Sequence, residues 1–316
     1  MLSVVYDGAS LRLAERPKPV PGRGEARVRT TLVGICNTDL EILRGYAAFS
    51  GILGHEFVGM VERAEDPALV GRRVVGEINV PCGECEMCVR GRREHCVRRQ
   101  VLGIRGRDGA LAEYLCLPER NLHLVPGSVQ DDAAVFVEPL AAACKILEQV
   151  HIRPDSRVVV LGDGKLGLLV AQVLALTGAC LSVIGRHPDK LAILSSRGIA
   201  TRLEDPDRYP SADVVVECTG RPEGYHAALR IVRPGGTLVL KSTYHGHVQA
   251  DLSRVVVDEI SIVGSRCGPF AAALRVLELG LVDVVPLITA RYRLADALAA
   301  LEHAARPGVL KILVQP

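Results

Sequence analysis

The feature that most constrains the fold of this chain is an apolar run followed at once by three spaced glycines. Residues 157–161 read Arg-Val-Val-Val-Leu, typical of a buried strand, and residues 162–167 read Gly-Asp-Gly-Lys-Leu-Gly. Apolar residues then recur at helical spacing as far as Leu174. This order of strand, glycine turn and helix predicts a βαβ unit that binds a dinucleotide pyrophosphate at the helix N-terminus. The alternative is a tight strand-to-helix turn without a ligand.

The glycine turn gives the first candidate cofactor-binding residues, namely Gly162, Gly164, Lys165, Leu166 and Gly167.

The end of the next predicted strand bears on the choice of cofactor. An acidic residue at that point would bind the ribose hydroxyl of NAD. This chain instead reads Ile184-Gly185-Arg186. Gly185 removes repulsion toward a 2′-phosphate, and the guanidinium of Arg186 can bind that phosphate as a fork. The sequence therefore predicts NADP in preference to NAD. The alternative is that Arg186 is an exposed arginine at the start of a helix.

The chain has two styles of sequence, which predict two domains. Residues 1–128 are rich in Gly, Pro and short β-type runs and predict an antiparallel, barrel-like domain. Residues 129–267 alternate apolar runs with helical stretches, which predicts a parallel sheet with crossover helices. We expect the tail, residues 268–316, to return to the first domain. A length of 316 residues also exceeds the usual size of a single core.

Composition excludes several classes of protein. Hydrophobic residues make up 48% and charged residues 23%, which indicates a packed globular chain. The net charge is only +2 and the basic residues are scattered, so no nucleic-acid partner is expected. No apolar run is long enough to cross a bilayer, so no membrane association is expected. The first residues lack the features of a secretion signal, which predicts a cytoplasmic location.

Four of the ten cysteines lie close together and predict a structural zinc site. Cys82, Cys85, Cys88 and Cys96 form the pattern C-x2-C-x2-C-x7-C. The short gaps let three thiolates turn toward one point, and the longer loop brings the fourth to complete a tetrahedron. Free or disulfide-bonded cysteines in a surface loop are the alternative.

Three further segments carry metal-ligand side chains, and each is weak evidence when taken alone. They are Cys36-Asn37-Thr38-Asp39, Gly54-His55-Glu56 and Glu138-Pro139-Leu140. Together with the cysteine cluster, the glycine turn and Cys218-Thr219-Gly220, they form an ordered series along the whole chain. In this series the chain resembles the zinc-containing medium-chain dehydrogenase/reductase family, which includes alcohol, sorbitol and threonine dehydrogenases. The resemblance implies an α/β fold, with a GroES-like β-barrel catalytic domain and a doubly wound Rossmann cofactor domain.

The resemblance also implies a catalytic zinc bound by Cys36, His55 and either Glu56 or Glu138, and the sequence leaves this alternative open. In relatives the carboxylate matching Glu56 exchanges in and out of the metal shell. Asp39 would orient the imidazole of His55. The chain would then hold two zinc ions, one catalytic and one structural.

Further roles follow from the same resemblance. Thr38 would accept the alcohol proton, and Glu41 stands where some relatives have a relay histidine; the alternative for Glu41 is a solvated surface acid. Thr219, Ser265 and Arg266 match turns that contact the cofactor. Lys311 matches a basic residue that reaches the cofactor phosphates in relatives; the alternative is an edge-strand lysine. Further candidates for the lining of the substrate pocket are Arg105, Lys241 and Tyr244.

The predicted reaction is hydride transfer between an alcohol or polyol, or the matching ketone or aldehyde, and NADP(H). A small-molecule alcohol or carbonyl substrate and a homodimer or homotetramer are expected from the resemblance.

Two other functions are alternatives to an alcohol dehydrogenase. A zinc-free enoyl or quinone reductase would lack the Cys, His and Glu set, and a non-catalytic redox sensor would bind zinc and NADP without turnover.

Overall fold

The structure, a computed structural model, describes residues 1–45, 48–205, 208–243 and 247–316. The described chain divides into two compact units. The first comprises Met1–Glu138 and Leu287–Pro316, and the second comprises Pro139–Pro286. Tyr244, one of the candidate pocket residues, lies outside the described residues.

The N-terminal part of the first unit is built from short strands with three short helices. Strand β3 shows why: its first half alternates buried Ala26 and Val28 with the more exposed Arg27 and Arg29, as one face packs on a core. The strands are β1 Leu2–Tyr6, β2 Leu11–Glu15, β3 Glu25–Gly34, β4 Gly51–Ile52, β5 Glu56–Arg63, β6 Arg73–Gly76, β7 Asn79–Val80, β8 Gln100–Leu102, β9 Gly106–Arg107, β10 Tyr114–Pro118 and β11 Leu122–Leu124; the helices are α1 Asn37–Leu43, α2 Glu86–Val89 and α3 Asp131–Ala134.

The second unit is a six-stranded parallel sheet with crossover helices. Its strands are apolar because helices cover both faces of such a sheet. The elements are α4 Val137–Gln149, which begins at the unit boundary, then β12 Arg157–Leu161, α5 Lys165–Ala175, β13 Cys180–Gly185, α6 Pro188–Ser195, β14 Ala200–Leu203, β15 Ala212–Glu217, α7 Pro222–Ile231, β16 Val232–Leu240, α8 Leu252–Val257, β17 Ser261–Gly264 and α9 Phe270–Glu278. The strand order is β14-β13-β12-β15-β16-β17, the doubly wound order of dinucleotide-binding domains.

The C-terminal segment, Leu287–Pro316, completes the first unit. It contains β18 Ile288–Arg293, α10 Ala297–Ala304 and β19 Lys311–Gln315. Strand β19 pairs with β18 in parallel and with β3 in antiparallel register. The resulting seven-stranded sheet has the order β11-β6-β5-β3-β19-β18, and β10 also pairs with β3. Two three-stranded sheets, β2-β1-β4 and β7-β8-β9, complete the strands of this unit.

Both unit boundaries differ from the predicted ones at 128/129 and 267/268. Helix α3 belongs to the first unit because Asp131 accepts hydrogen bonds there from Thr31 and Arg73. The segment after residue 267 stays in the second unit through α9. Gln172 exchanges hydrogen bonds with the backbone of Asp283, which holds this segment against α5. Local composition and hydrophobic pattern could not predict these contacts because they join residues far apart in the chain.

Along the residues that the structure describes, no helix has the length and apolar character needed to span a bilayer.

Candidate functional site

The first unit brings together three of the predicted zinc ligands. Cys36 follows the end of β3 and precedes α1, whereas His55 and Glu56 lie where β5 begins. One ligand atom from each of these side chains lies within 4.8 Å of the other two. His55 and Glu56 are almost completely buried. Strand pairing creates this arrangement, since Gly34 on β3 lies opposite Glu56 on β5.

A buried carboxylate, Asp39 on α1, links the segments that carry these ligands. Its oxygens accept hydrogen bonds from the backbone N–H of Cys36 at 2.9 Å and of Gly54 at 3.3 Å. Oδ1 of Asp39 also lies 3.2 Å from Nδ1 of His55, close enough for an ion pair, although the ring is poorly aligned for a straight hydrogen bond. Burial opposes the charge on Asp39, but His55 and the two N–H groups hold the pKa of this carboxyl below its ordinary value.

The environment of His55 has the reciprocal effect. Burial disfavours its protonated form, but the nearby Asp39 carboxylate and Cys36 thiol outweigh burial and raise the pKa of His55 well above its ordinary value. The negative charges of Asp39 and Cys36 therefore favour a positive charge at His55, either a proton or a metal cation that takes its place.

Lys311 makes contacts that differ from the predicted ones. Its ammonium group forms a short ion pair with Oε2 of Glu56, and both side chains are 1% exposed. Burial opposes the charge of this lysine, but Glu56 and Cys36 more than compensate, so the pKa of Lys311 is raised. In this arrangement Lys311 is a buried counter-ion of the Cys36, His55 and Glu56 cluster. That Lys311 reaches the cofactor phosphates stays a prediction.

The chemistry of this donor set fits zinc. Thiolate, imidazole and carboxylate are the three ligand types that zinc accepts at catalytic sites. Oε1 of Glu56 is buried and has no hydrogen-bond partner within the described part of the chain, so one carboxylate oxygen is left for a further ligand. Glu138 is not a member of the cluster formed among the described residues, although its charge contributes to the raised pKa of Lys311.

Thr38 and Glu41 lie on α1, beside this cluster. Oγ1 of Thr38 is 3.7 Å from Sγ of Cys36. Glu41 lies three residues further along the helix, on the same face as Thr38. The carboxylate of Glu41 forms an ion pair with Arg44 at 2.7 Å, and its side chain is partly exposed. Thr38 is therefore close to the predicted metal ligands, whereas Glu41 already has a charged partner nearer the surface.

The four-cysteine lobe has the dimensions of a tetrahedral zinc site. Four sulfur–sulfur separations lie between 3.5 and 4.0 Å, namely those of Cys85–Cys88, Cys82–Cys96, Cys85–Cys96 and Cys82–Cys88. A zinc–sulfur bond of about 2.3 Å places tetrahedral ligands about 3.8 Å apart, whereas a disulfide bond needs about 2.05 Å. All four cysteines are free of disulfides. Backbone N–H groups of Glu84 and Cys85 lower the pKa of Cys82 to about 6, which favours the thiolate form.

The second unit holds the predicted cofactor groove at the carboxyl ends of its strands. Helix α5 begins at Lys165, directly after the N-cap residue Gly164, so its free N–H groups face the turn. A Cβ atom on Gly167 would lie 2.1 Å from the carbonyl oxygen of Gly162, which explains the need for glycine at position 167. Leu166 is half-buried beside them. The turn therefore has the geometry that suits a pyrophosphate.

Strand β13 ends at Gly185, and Arg186 lines the groove with half of its side chain exposed. The carboxylate of Asp163 occupies the space beside Gly185, since a Cβ atom there would lie 2.5 Å from Oδ2. That oxygen accepts hydrogen bonds from the backbone N–H groups of Arg186 and His187, both at 2.6 Å, and the His187 ring lies 3.0 Å from the carboxylate. Burial opposes the charge on Asp163, but these bonds lower its pKa. Asp163 therefore fixes the turn that carries Arg186.

The other predicted cofactor residues lie near strand ends of the same unit. Thr219 lines the groove, and both its N–H and its hydroxyl donate to buried Glu217. Ser265 and Arg266 follow β17 and contact the ammonium group of Lys241 through a hydroxyl and a carbonyl oxygen.

Two candidate pocket residues, Lys241 and Arg105, have environments of different kinds. Lys241 is buried and also donates to the carbonyl of Ala142, so it ties α4 to the strand ends. Arg105 is exposed, in the turn between β8 and β9 of the first unit.

Sequence reasoning missed several groove residues, among them Asp163, Glu204 and Arg221. Asp163 was visible as the second residue of the glycine turn, but its hydrogen bonds to the end of β13 depend on folding. Glu204 and Arg221 follow β14 and β15. Carboxyl ends of parallel strands meet at one edge, so the residues that follow each strand could have been examined as a set.

Two stretches of the chain match known protein families. Residues 22–127 match the family described as alcohol dehydrogenase GroES-like domain. Residues 166–279 match the family described as zinc-binding dehydrogenase.

Individual dehydrogenases are similar to this chain over nearly its whole length. A sorbitol dehydrogenase of Halalkalibacterium halodurans is 30% identical over 96% of this chain and 94% of its own length. A zinc-binding dehydrogenase of Sinorhizobium meliloti, solved with NADP, has a TM-score of 0.91 and 28% identity, with 100% of this chain and 99% of that chain covered. The alcohol dehydrogenase rspB of Escherichia coli, solved with NADH, has a TM-score of 0.92 and 26% identity over 100% and 99%. The chain belongs to the zinc-containing medium-chain dehydrogenase/reductase family, as a zinc-dependent oxidoreductase.

Proposed function

We propose that this enzyme oxidises the hydroxyl group of a polyol or a related alcohol with NADP, and that it reduces the matching carbonyl with NADPH. The observation that carries the proposal is the cluster of half-buried Cys36 with buried His55 and Glu56, in which one carboxylate oxygen has no partner among the described residues. The sorbitol dehydrogenase similarity favours a polyol as substrate.

In the proposed mechanism, Cys36, His55 and a carboxylate hold a zinc ion, and the structure favours Glu56 over Glu138 because Glu56 lies within the cluster. When bound, zinc acts as a Lewis acid on the substrate oxygen, and the nicotinamide supplies the redox chemistry. Asp39 orients His55 through Nδ1 and so leaves Nε2 for the metal. Lys311 balances the charge of Glu56.

Proton removal is assigned to Thr38. Its hydroxyl lies beside Cys36 and can accept the proton of a substrate hydroxyl while donating its own. Glu41, three residues further along α1, is the proposed end of this proton relay. Its ion pair with Arg44 also agrees with the alternative role of a surface acid.

The proposed preference for NADP rests on the groove in the second unit. The acid that would bind a ribose hydroxyl is replaced by Gly185, and the adjacent Arg186 is half exposed in the groove. Asp163 lies nearby, but two backbone N–H groups and the His187 ring already occupy its carboxylate.

A second zinc ion, bound by Cys82, Cys85, Cys88 and Cys96, is proposed to stabilise the four-cysteine lobe.

The proposed homo-oligomer, a homodimer or a homotetramer, uses the free edge of the described parallel sheet. Strand β17 is the last strand of that sheet, and Ile262 on it is exposed. Val256 and Val257 at the end of α8 are more than 70% exposed. An unpaired strand edge next to exposed apolar side chains is suited to pairing with a second copy.

A cytoplasmic location is proposed because reducing conditions keep a thiolate zinc lobe intact.

The first prediction concerns turnover of the zinc-loaded protein. A panel of polyols, aliphatic alcohols, aromatic alcohols and amino alcohols should show reduction of NADP with a polyol as the best substrate, and chelation of zinc should abolish the rate. The measurement is the initial rate of nicotinamide reduction with NADP and with NAD. Absence of turnover across the panel, in protein that retains zinc and binds NADP, would instead support the non-catalytic sensor.

The second prediction concerns the proton acceptor. Thr38→Val should lower kcat by roughly 10²–10⁴-fold, because it removes the hydroxyl and keeps the side-chain shape. Thr38→Ser is the matched control and should retain most activity. Zinc content is measured in parallel, because loss of zinc from Thr38→Val would assign the effect to the metal site. Equal activity of the Val and Ser variants would exclude Thr38 from proton transfer.

The third prediction concerns cofactor choice. Arg186→Ala should weaken NADP binding by at least about tenfold, because a charge-assisted contact to the 2′-phosphate is lost. NAD lacks that phosphate, so its dissociation constant should change little. Titration of each cofactor by fluorescence or calorimetry gives the two constants. Equal losses for NADP and NAD would show that Arg186 does not read the 2′-phosphate.

A further inference from the structure

Two arginines in the cofactor groove converge on one carboxylate. Arg186 follows β13, Glu204 follows β14, and Arg221 follows the end of β15 at the start of α7. Oε2 of Glu204 lies 4.0 Å from Nε of Arg186 and 3.8 Å from Nη2 of Arg221. All three side chains line the groove. Three strand ends thus place two cations around a single anionic oxygen.

We propose that Arg221 is a second 2′-phosphate-binding residue, and that Glu204 is an internal anion whose place the phosphate takes. This inference rests on the proposed preference for NADP. It assigns cofactor specificity to a pair of arginines. Only Arg186 lies at the end of β13, where the sequence analysis looked for the residue that distinguishes NADP from NAD.

The charges of the groove support an exchange of anions. Two guanidinium groups that lie within 4 Å of one oxygen repel each other unless an anion lies between them. Glu204 provides that anion here. A phosphate dianion carries more charge and more acceptor oxygens than a carboxylate, so it satisfies both arginines better.

The contacts to Glu204 are weak enough to be replaced. Separations of 3.8 and 4.0 Å exceed hydrogen-bond length, and the side chains of Arg186 and Arg221 are 52% and 35% exposed. Ion pairs of this kind contribute little to stability. The other oxygen of Glu204 accepts a hydrogen bond from the hydroxyl of Tyr209 at 3.2 Å, which can hold the carboxylate once the arginines turn to a phosphate.

The donors of Arg221 are incompletely satisfied in this arrangement. Its Nε is buried and has no hydrogen-bond partner within the part of the chain that the structure describes. Buried donors in native proteins are normally paired, so this guanidinium is expected to reorient when a better acceptor is present.

The backbone places Glu204 at the point where cofactors are distinguished. Its N–H donates to the carbonyl oxygen of Gly185 at 2.8 Å, directly before Arg186. The carboxylate is therefore held beside the strand end whose residue would bind the ribose of NAD. This position connects Glu204 and Arg221 with the 2′ substituent rather than with the pyrophosphate turn.

The test compares four proteins, each zinc-loaded: the unchanged chain, Arg221→Gln, Glu204→Gln and the control Arg202→Gln. Arg202 is an exposed arginine on β14 outside the groove lining, so its loss changes net charge by the same amount as loss of Arg221. Calorimetry measures binding of NADP, NAD, adenosine 2′,5′-bisphosphate and 5′-AMP. Thermal unfolding of each variant identifies any that fails to fold.

Arg221→Gln should weaken NADP and the bisphosphate by at least about tenfold and leave NAD and 5′-AMP nearly unchanged. Glu204→Gln keeps an acceptor for Tyr209 but removes the competing charge, so it should tighten NADP severalfold relative to NAD. Arg202→Gln should change neither ratio.

Three results would overturn parts of the account in different ways. If the unchanged chain binds NAD as tightly as NADP, the proposed cofactor preference itself fails. If the preference holds but Arg221→Gln weakens NAD and NADP equally, Arg221 serves a part common to both cofactors and this inference fails. If Glu204→Gln does not tighten NADP, the carboxylate is not a competitor of the phosphate.

Discussion

The buried carboxylate of Asp39 is the interaction on which the candidate catalytic site depends. It binds the backbone N–H groups of Cys36 and Gly54 and contacts the imidazole of His55. One side chain therefore fixes the two segments that supply metal ligands. A carboxylate of this kind is stable in a protein interior only when hydrogen bonds and opposite charge compensate for lost hydration. Removal of any partner would leave a buried charge, so the positions of these residues are strongly coupled.

The same electrostatic requirement explains the role of the C-terminal strand. Glu56 is nearly inaccessible and needs a cation, which β19 provides as Lys311. The pairing of β19 with β3 brings this lysine to the start of β5. The C-terminal segment therefore contributes a counter-charge to the site as well as a strand to the sheet. In the second unit, strand ends similarly bring Arg186, Glu204 and Arg221 together from separate parts of the chain.

The sequence predicted those features that depend on local spacing. The four cysteines meet at zinc-like distances, and the glycine turn lies between β12 and α5 as its pattern required. Cys36, His55 and Glu56 come together, and Asp39 contacts His55, as the family resemblance implied. Contacts between distant segments were not predictable. The pairing of Lys311 with Glu56 depends on sheet register, and the role of Asp163 depends on the approach of the glycine turn to β13. The boundaries of the two units differ from the predicted ones for the same reason, since they depend on contacts between distant segments.

The most direct test of the account is the zinc content of three purified proteins, measured by elemental analysis: the unchanged chain, Cys36→Ala and the control Cys116→Ala. Cys116 is a half-buried cysteine on β10, outside both ligand clusters. We predict two zinc ions per chain in the unchanged protein and in Cys116→Ala, and one in folded Cys36→Ala. Equal zinc content in folded Cys36→Ala and the unchanged protein would contradict the assignment of the Cys36, His55 and Glu56 cluster as a metal centre.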